Sequence, residues 1–248
     1  MPAISETFWQ KRTPLMDSCH YLDKWTDWYA MAIRWLALRR LRPHIQQLAP
    51  QNRIPRDPAR ILDMGCGDGQ GAQLFRSACG IFAEVTGVDM YEYSGVRGRV
   101  ERFIQADGEQ VGRELQGEQF DLAIALTSLA FMKNWKVAAA QIRDLTSWML
   151  VVENVQDPAP TWQSDLDYKT HLSWPVLVRG MEEAGWQVVI AQPINWLDRA
   201  LLVRVPTWLR PLTVGLTLLL DVVGVYVWGL PVAKCRYTAA LFVKRPVV

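Results

Sequence analysis

The 248-residue chain carries 27 Lys and Arg against 25 Asp and Glu, a net charge of +2, and half of its residues are hydrophobic. This balance excludes wholesale disorder and supplies no basic block of the kind that binds nucleic acid. The four cysteines (Cys19, Cys66, Cys79 and Cys235) form no CxxC pair and no zinc-like spacing with His20, His44 and His171, so neither a metal centre nor a disulfide framework is expected.

In chain order, Met1–Pro14 is polar and charged, which is not the pattern of a secretory signal, and together with reduced thiols it points to a cytoplasmic protein. Leu22–Leu48 reads as a helix, with Leu22, Trp25, Trp28, Tyr29, Ala32, Trp35 and Leu36 recurring at three- and four-residue steps. Pro43 is expected to kink or end it. Ala49–Asp57, bounded by Pro50, Pro55 and Pro58, reads as a linker. From Ala59 the pattern alternates. Strands are predicted at Arg60–Met64, Glu84–Val88, Arg102–Gln105, Asp121–Leu126, Met149–Glu153 and Gln187–Ala191, with helices at Gln70–Ser77, Gly108–Leu115, Trp135–Asp144 and Trp174–Ala184. Such alternation predicts a parallel sheet with helices on both faces and a ligand beyond the carboxyl ends of the strands. Asn195–Leu230 is strongly apolar, and Arg236–Val243 reads as a last strand.

The chemistry concentrates at Arg60-Ile-Leu-Asp-Met-Gly-Cys-Gly-Asp-Gly69, where a buried strand runs into a glycine-rich turn and a helix opens. Glycines permit unusual backbone angles and close approach of a ligand, and the helix start offers free N–H donors. Asp89 ends the next predicted strand, twenty residues after Gly69, where a carboxylate accepts from ribose hydroxyls. Asp107 ends the third, placed either for an adenine amino group or as the N-cap of the following helix.

On these residues the chain resembles the class I S-adenosylmethionine-dependent methyltransferases. The matching stretches are Ile61-Leu-Asp-Met-Gly-Cys-Gly-Asp-Gly69, Gly87-Val-Asp-Met90, Gln105-Ala-Asp-Gly108 and Phe120-Asp-Leu-Ala-Ile-Ala-Leu126. The resemblance implies S-adenosyl-L-methionine as cofactor. Asp63, Gly65, Cys66, Gly67 and Gly69 would hold its methionine part, and Asp89 its ribose. Met90 would lie on the adenine, with Asp107 and Gly108 at the amino group and the backbone of Leu126 and Thr127 completing the methionine side. It also implies a seven-stranded, mostly parallel, Rossmann-like sheet whose last strand is antiparallel. A nicotinamide or flavin site is the rival. Its G-x-G-x-x-G or A fingerprint fails from Gly65, where the last position is Gln70, and from Gly67 it leaves Asp63 and Gly65 without a role. An acid just ahead of the glycines also repels a pyrophosphate and suits a cationic ligand. Aminopropyl transfer lacks a paired-carboxylate signature.

Methyl transfer from a sulfonium is an in-line displacement, expelling a neutral thioether, so positioning does most of the work. Thr127-Ser-Leu-Ala-Phe-Met-Lys133 holds no histidine or acid after the fourth strand. His20 and Tyr21, at the head of the first helix, and His171, after the fifth strand, are the candidate catalytic residues, with Glu153 and Asn154 near the acceptor.

Leu212–Leu230 is long enough to span a bilayer, but Asp221 at its centre, three glycines and the strand that must return to the sheet argue against a crossing. Two readings stay open for 195–231: a cap over the site, or a membrane-surface patch in which Trp196, Trp208, Trp228 and Tyr226 sit among headgroups. Both suit a hydrophobic or lipid-like acceptor. The expected organisation is an N-terminal helical lid over 1–50, a Rossmann-like core over 51–194 and 232–248, and the apolar helical insertion at 195–231 before the last strand. A non-catalytic module that uses the apolar tail for binding is the alternative to an enzyme.

Overall fold

The structure is a computed structural model that describes residues 24–48, 58–155, 172–195, 205–232 and 235–246. Helix α1 (Lys24–Leu48) precedes β1 (Ala59–Met64), α2 (Gln70–Cys79), β2 (Ala83–Asp89), β3 (Arg102–Gln105), α3 (Val111–Glu114), β4 (Leu122–Leu126), α4 (Trp135–Leu145), β5 (Trp148–Asn154), α5 (Trp174–Glu183) and β6 (Trp186–Asn195). Helix α6 (Arg210–Val222) runs into a π-helical turn (Val223–Val227), and β7 (Tyr237–Lys244) follows.

The strands stand in the order β3-β2-β1-β4-β5-β7-β6. β1 to β5 are parallel, and β7 lies antiparallel between β5 and β6. This is the mostly parallel, Rossmann-like sheet expected. The chain winds outward from β1 to β3 and then crosses back to β4, so a crevice opens beyond the carboxyl ends of β1 and β4. The inner strands read as nearly unbroken apolar runs because both faces are covered. Ile61, Ile124, Leu150 and Val152 enter the core beneath α1 and α2, while Leu62, Ala123, Met149 and Val151 enter the one beneath α4 and α5.

Three elements differ from expectation. Helix α1 continues through Pro43 to Leu48. Its buried row Tyr29, Ile33, Ala37, Leu41 and Ile45 passes the proline on the inner side, and Pro43 itself is exposed, so the freed carbonyl faces water and core burial offsets the lost hydrogen bond. The helix predicted at Gly108–Leu115 is a 3-10 turn at Gly108–Gln110 followed by the single turn of α3. β6 runs four residues beyond Ala191 and accommodates Pro193 because it is an edge strand, with register shifts at Val188/Ile190 and Pro193/Asn195. The lid and linker predicted before α1 and β1 lie, apart from α1 itself, outside the described residues.

Helix α6 is two-sided. Val214, Thr217 and Asp221, at steps of three and four, turn inward, while Leu212, Leu216 and Leu219 are exposed. Among the described residues no helix is long and apolar enough to cross a membrane. The buried stripe packs toward α1 and β6, where the Tyr29 hydroxyl meets the Asp221 carboxylate and Asn195 Nδ2 donates to the Tyr29 oxygen at 3.3 Å.

Candidate functional site

Parallel pairing carries the acids to one rim. Asp63 pairs with Gly87 and Asp89 with Gln105, so Asp63, Asp89 and Asp107 stand at the carboxyl ends of three neighbouring strands. Asp63 is 1% exposed, and its Oδ2 has no hydrogen-bond partner. That oxygen lies beside the first turn of α2, 3.7 Å from where a side chain on Gly71 would begin. Burial, and then the neighbouring Asp89 charge, push the Asp63 carboxyl up to about 7. Asp89 is already oriented. Its Oδ2 accepts from the Gly67 N–H at 2.9 Å and its Oδ1 from the Tyr91 N–H at 3.1 Å. Burial raises the Asp89 pKa, and those N–H bonds oppose the rise. Asp107 caps the 3-10 turn that follows it, Oδ1 accepting from the Glu109 N–H at 2.9 Å. Its place at the rim and its capping bond therefore coexist. Gly108 is buried against Met132 and Met64.

The turn after β1 folds back over β2, with the N–H groups of Gly65 and Cys66 donating to the Val88 carbonyl at 2.8 and 3.2 Å. Gly65, Gly67 and Gly69 have φ of 66°, 55° and 83°, a region closed to most side chains. At two of these positions the chain's own groups occupy the space a side chain would take. A Cβ on Gly65 would stand 2.4 Å from Ser128 Cβ, and one on Gly69 2.9 Å from Arg99 Cβ. The Cys66 thiol is likewise buried against Gly87.

Across the crevice, Leu126 ends β4 and Thr127 follows with φ 66°, a strained angle for a β-branched residue. The Thr127 N–H donates to the Val152 carbonyl at 2.6 Å, and its Oγ1 is buried without a partner. Ser128 Oγ donates to the Met64 carbonyl at 2.5 Å, tying this loop to the glycine turn. Glu153 is fully buried and accepts from the Ala130 N–H at 3.3 Å and the Asn154 N–H at 3.0 Å, so it holds the loop from below. Met90 is 46% exposed at the rim.

The structure thus brings Asp63, Gly65, Cys66, Gly67, Gly69, Asp89, Met90, Asp107, Gly108, Leu126 and Thr127 to one side of the sheet. His20, Tyr21 and His171 lie outside the described residues. Sequence reasoning missed Ser128, Arg99 and Asp68, whose side chains fix the turn. Only Asp68 carried a signal, as the acid inside the glycine run.

The family described as "Methyltransferase domain" matches residues 29–191. No curated protein matches the chain. Among solved structures, the Burkholderia thailandensis 1,6-didemethyltoxoflavin-N1-methyltransferase, with bound 1,6-didemethyltoxoflavin and S-adenosylhomocysteine, is 20% identical. It covers 99% of this chain and 93% of its own, with a TM-score of 0.58. An S-adenosylmethionine-dependent methyltransferase from Mesorhizobium loti is 15% identical over 82% of this chain and 96% of its own, TM-score 0.53. The plantazolicin methyltransferase BamL, in complex with a triazolic desmethylPZN analog and SAH, is 14% identical over 88% of this chain and 85% of its own, TM-score 0.51. At these identities the likeness is one of fold.

Proposed function

The chain belongs to the methyltransferase-domain family, and we propose that it moves a methyl group from S-adenosylmethionine to a hydrophobic or lipid-like small molecule. The observation that carries the reading is the Asp63 carboxyl, buried at the sheet rim with one oxygen left without a donor. A buried polar atom without a partner is costly unless a ligand completes it. A cationic ammonium group does so, and it also offsets the burial and, after it, the Asp89 charge that together hold the Asp63 pKa high.

The donor set fits the rest of such a ligand. Asp89 accepts the Gly67 N–H at Oδ2 and the Tyr91 N–H at Oδ1, which leaves further lone pairs for a pair of ribose hydroxyls. Exposed Met90 offers a polarisable face for an adenine, and Asp107 and Gly108 close that end. The glycine turn, with Cys66 beneath it, and the Leu126–Thr127 backbone form the two walls of the methionine side. When bound, S-adenosylmethionine would supply an electrophilic methyl that passes to an in-line acceptor as its bond to sulfur breaks and the neutral thioether leaves. The chain's own part is to hold the acceptor in line and to exclude water, and His20, Tyr21 and His171 are our candidates for holding or taking the acceptor's proton.

The toxoflavin and plantazolicin enzymes are named for small compounds, which supports a small-molecule acceptor here. The insertion supports a hydrophobic acceptor. Trp208 (78% exposed) and Trp228 (63%) bracket Leu212, Leu216, Leu219 and Val227 on the outer side of α6 and its π-turn. An apolar stripe of this kind, flanked by indoles, suits the boundary of a bilayer. Of the two readings of 195–231, a cap or a membrane-surface patch, this favours the membrane-surface patch, on an otherwise cytoplasmic protein. Flotation of the full chain with vesicles of phosphatidylglycerol and phosphatidylcholine tests the contact. Wild type should rise with the vesicles and Leu212→Glu/Leu216→Glu should stay below. A wild-type chain that stays below refutes the membrane contact while leaving the transferase assignment standing.

A further inference from the structure

We propose that Arg99 is a positioning residue that braces the glycine turn for the cofactor by gripping Asp68, and this rests on the reading of the rim as the S-adenosylmethionine site. The turn from Gly65 to Gly69 has little side-chain mass to hold its shape, and three of its residues sit at positive φ. Asp68 is its one charged side chain. It is 3% exposed, and its oxygens accept from the Gln70 N–H at 3.1 Å, from Gln70 Nε2 at 2.8 Å and from Arg99 Nη1 at 2.6 Å. The same Nη1 lies 3.0 Å from the Asp68 carbonyl oxygen, so one guanidinium nitrogen holds both the backbone and the side chain of the turn.

Arg99 is itself fixed. Its N–H donates to Val96 O at 2.9 Å and its carbonyl accepts from Arg76 Nη1 at 3.0 Å, which anchors it to α2. Its Cβ fills the space beside Gly69. Arg99 also lies on the connection between β2 and β3, which begins at Met90, directly after Asp89. The brace therefore links the two halves of the proposed site, the turn and the ribose end, and works alongside the Gly67 N–H to Asp89 bond. A second consequence is electrostatic. Arg99 neutralises the one acid in the turn that does not point at the ligand, so the negative charge left at the rim belongs to the groups aimed at it.

The test is calorimetric binding of S-adenosylmethionine and of S-adenosylhomocysteine to the full chain, with kcat and KM measured beside it. Arg99→Ala and Asp68→Asn should each weaken binding roughly tenfold or more, and their losses should not add. Arg99→Lys should recover part of the loss, because it restores the charge but not the fixed fork. The KM for the cofactor should rise more than kcat falls. Equal binding by wild type and Arg99→Ala overturns the proposal, as does a lowered melting temperature with unchanged affinity. A wild type that binds neither ligand overturns instead the reading on which the proposal rests.

Discussion

The Tyr29 hydroxyl donates to the Asp221 carboxylate across 192 positions of chain, and both residues are buried. The contact joins α1 to the one acidic residue of α6, and Asn195, which ends β6, completes it. A charge that reads in sequence as an obstacle to membrane crossing is therefore the pin that sets which side of α6 faces the core. Removing one partner breaks this buried bond from one side only, at about 1–3 kcal/mol, whereas removing both costs less. Tyr29→Phe and Asp221→Leu should each lower the melting temperature by several degrees, and Tyr29→Phe/Asp221→Leu should lose less than the sum of the single losses. Thermal denaturation checks this. Burial, and then Asp221, raise the Tyr29 pKa above its ordinary value, so this stabilisation is complete below about pH 10 and fades above it as the unfolded-state phenol ionises.

Asp63 has the opposite effect on stability near neutrality. Its folded pKa is raised to about 7 by burial and by Asp89, so the folded apo chain holds a proton that the unfolded chain has lost above about pH 4. Stability falls as pH rises through that window, and above about 7 the full charging cost is present. A bound ammonium group reverses the preference. Cofactor affinity should rise with pH up to about 7 and then level, with close to one proton released per site at pH 6. Calorimetry in buffers of different ionisation enthalpy reads that proton. Asp63→Asn should stabilise the apo chain at pH 8 by on the order of 1 kcal/mol and abolish the pH dependence while weakening binding. A variant that binds as tightly as wild type contradicts the assigned role.

Thr127 carries strain of a kind that recurs at ligand-binding loops. A β-branched residue at φ 66° costs about 1–3 kcal/mol, and asparagine tolerates that angle. Thr127→Asn should raise the melting temperature by a few degrees. If the threonine is kept for its shape at the methionine side, the same variant should raise the cofactor KM. A lowered melting temperature would show that the angle is not strained.

Gly65 is replaceable only with damage. Alanine there combines φ 66° with a Cβ 2.4 Å from Ser128 Cβ. Gly65→Ala should cost about 2–4 kcal/mol by overpacking and strain together, and Gly65→Ala/Ser128→Gly should recover the steric share but not the backbone share. Urea unfolding of the two variants separates the shares.

The parts of this site that sequence exposes are the local ones. Asp63-Met-Gly-Cys-Gly-Asp-Gly69 announces a strand, a turn and a helix start within a few residues, and Asp89 and Asp107 follow at the ends of predictable strands. Alternation likewise places β1, β2, β4 and β5, because strands buried on both faces are written as largely apolar runs. The pairings that shape the turn are distant in sequence. Nothing near Gly65 names Ser128 as its neighbour, nothing near Asp68 names Arg99, and Asp221 gives no hint of Tyr29. Thr127 has no local signal for a positive φ, since the register of β4 on β5 and the bond to Val152 impose it. Pro43 misleads for the converse reason, in that propensity describes an isolated helix and α1 is held by its buried face.

The most direct measurement is titration of S-adenosylmethionine into the full chain and into Asp89→Ala. The account predicts one site per chain in wild type and at least a tenfold weaker one in the variant, because the hydroxyl pair loses its acceptor. No heat of binding to wild type at millimolar ligand would contradict it.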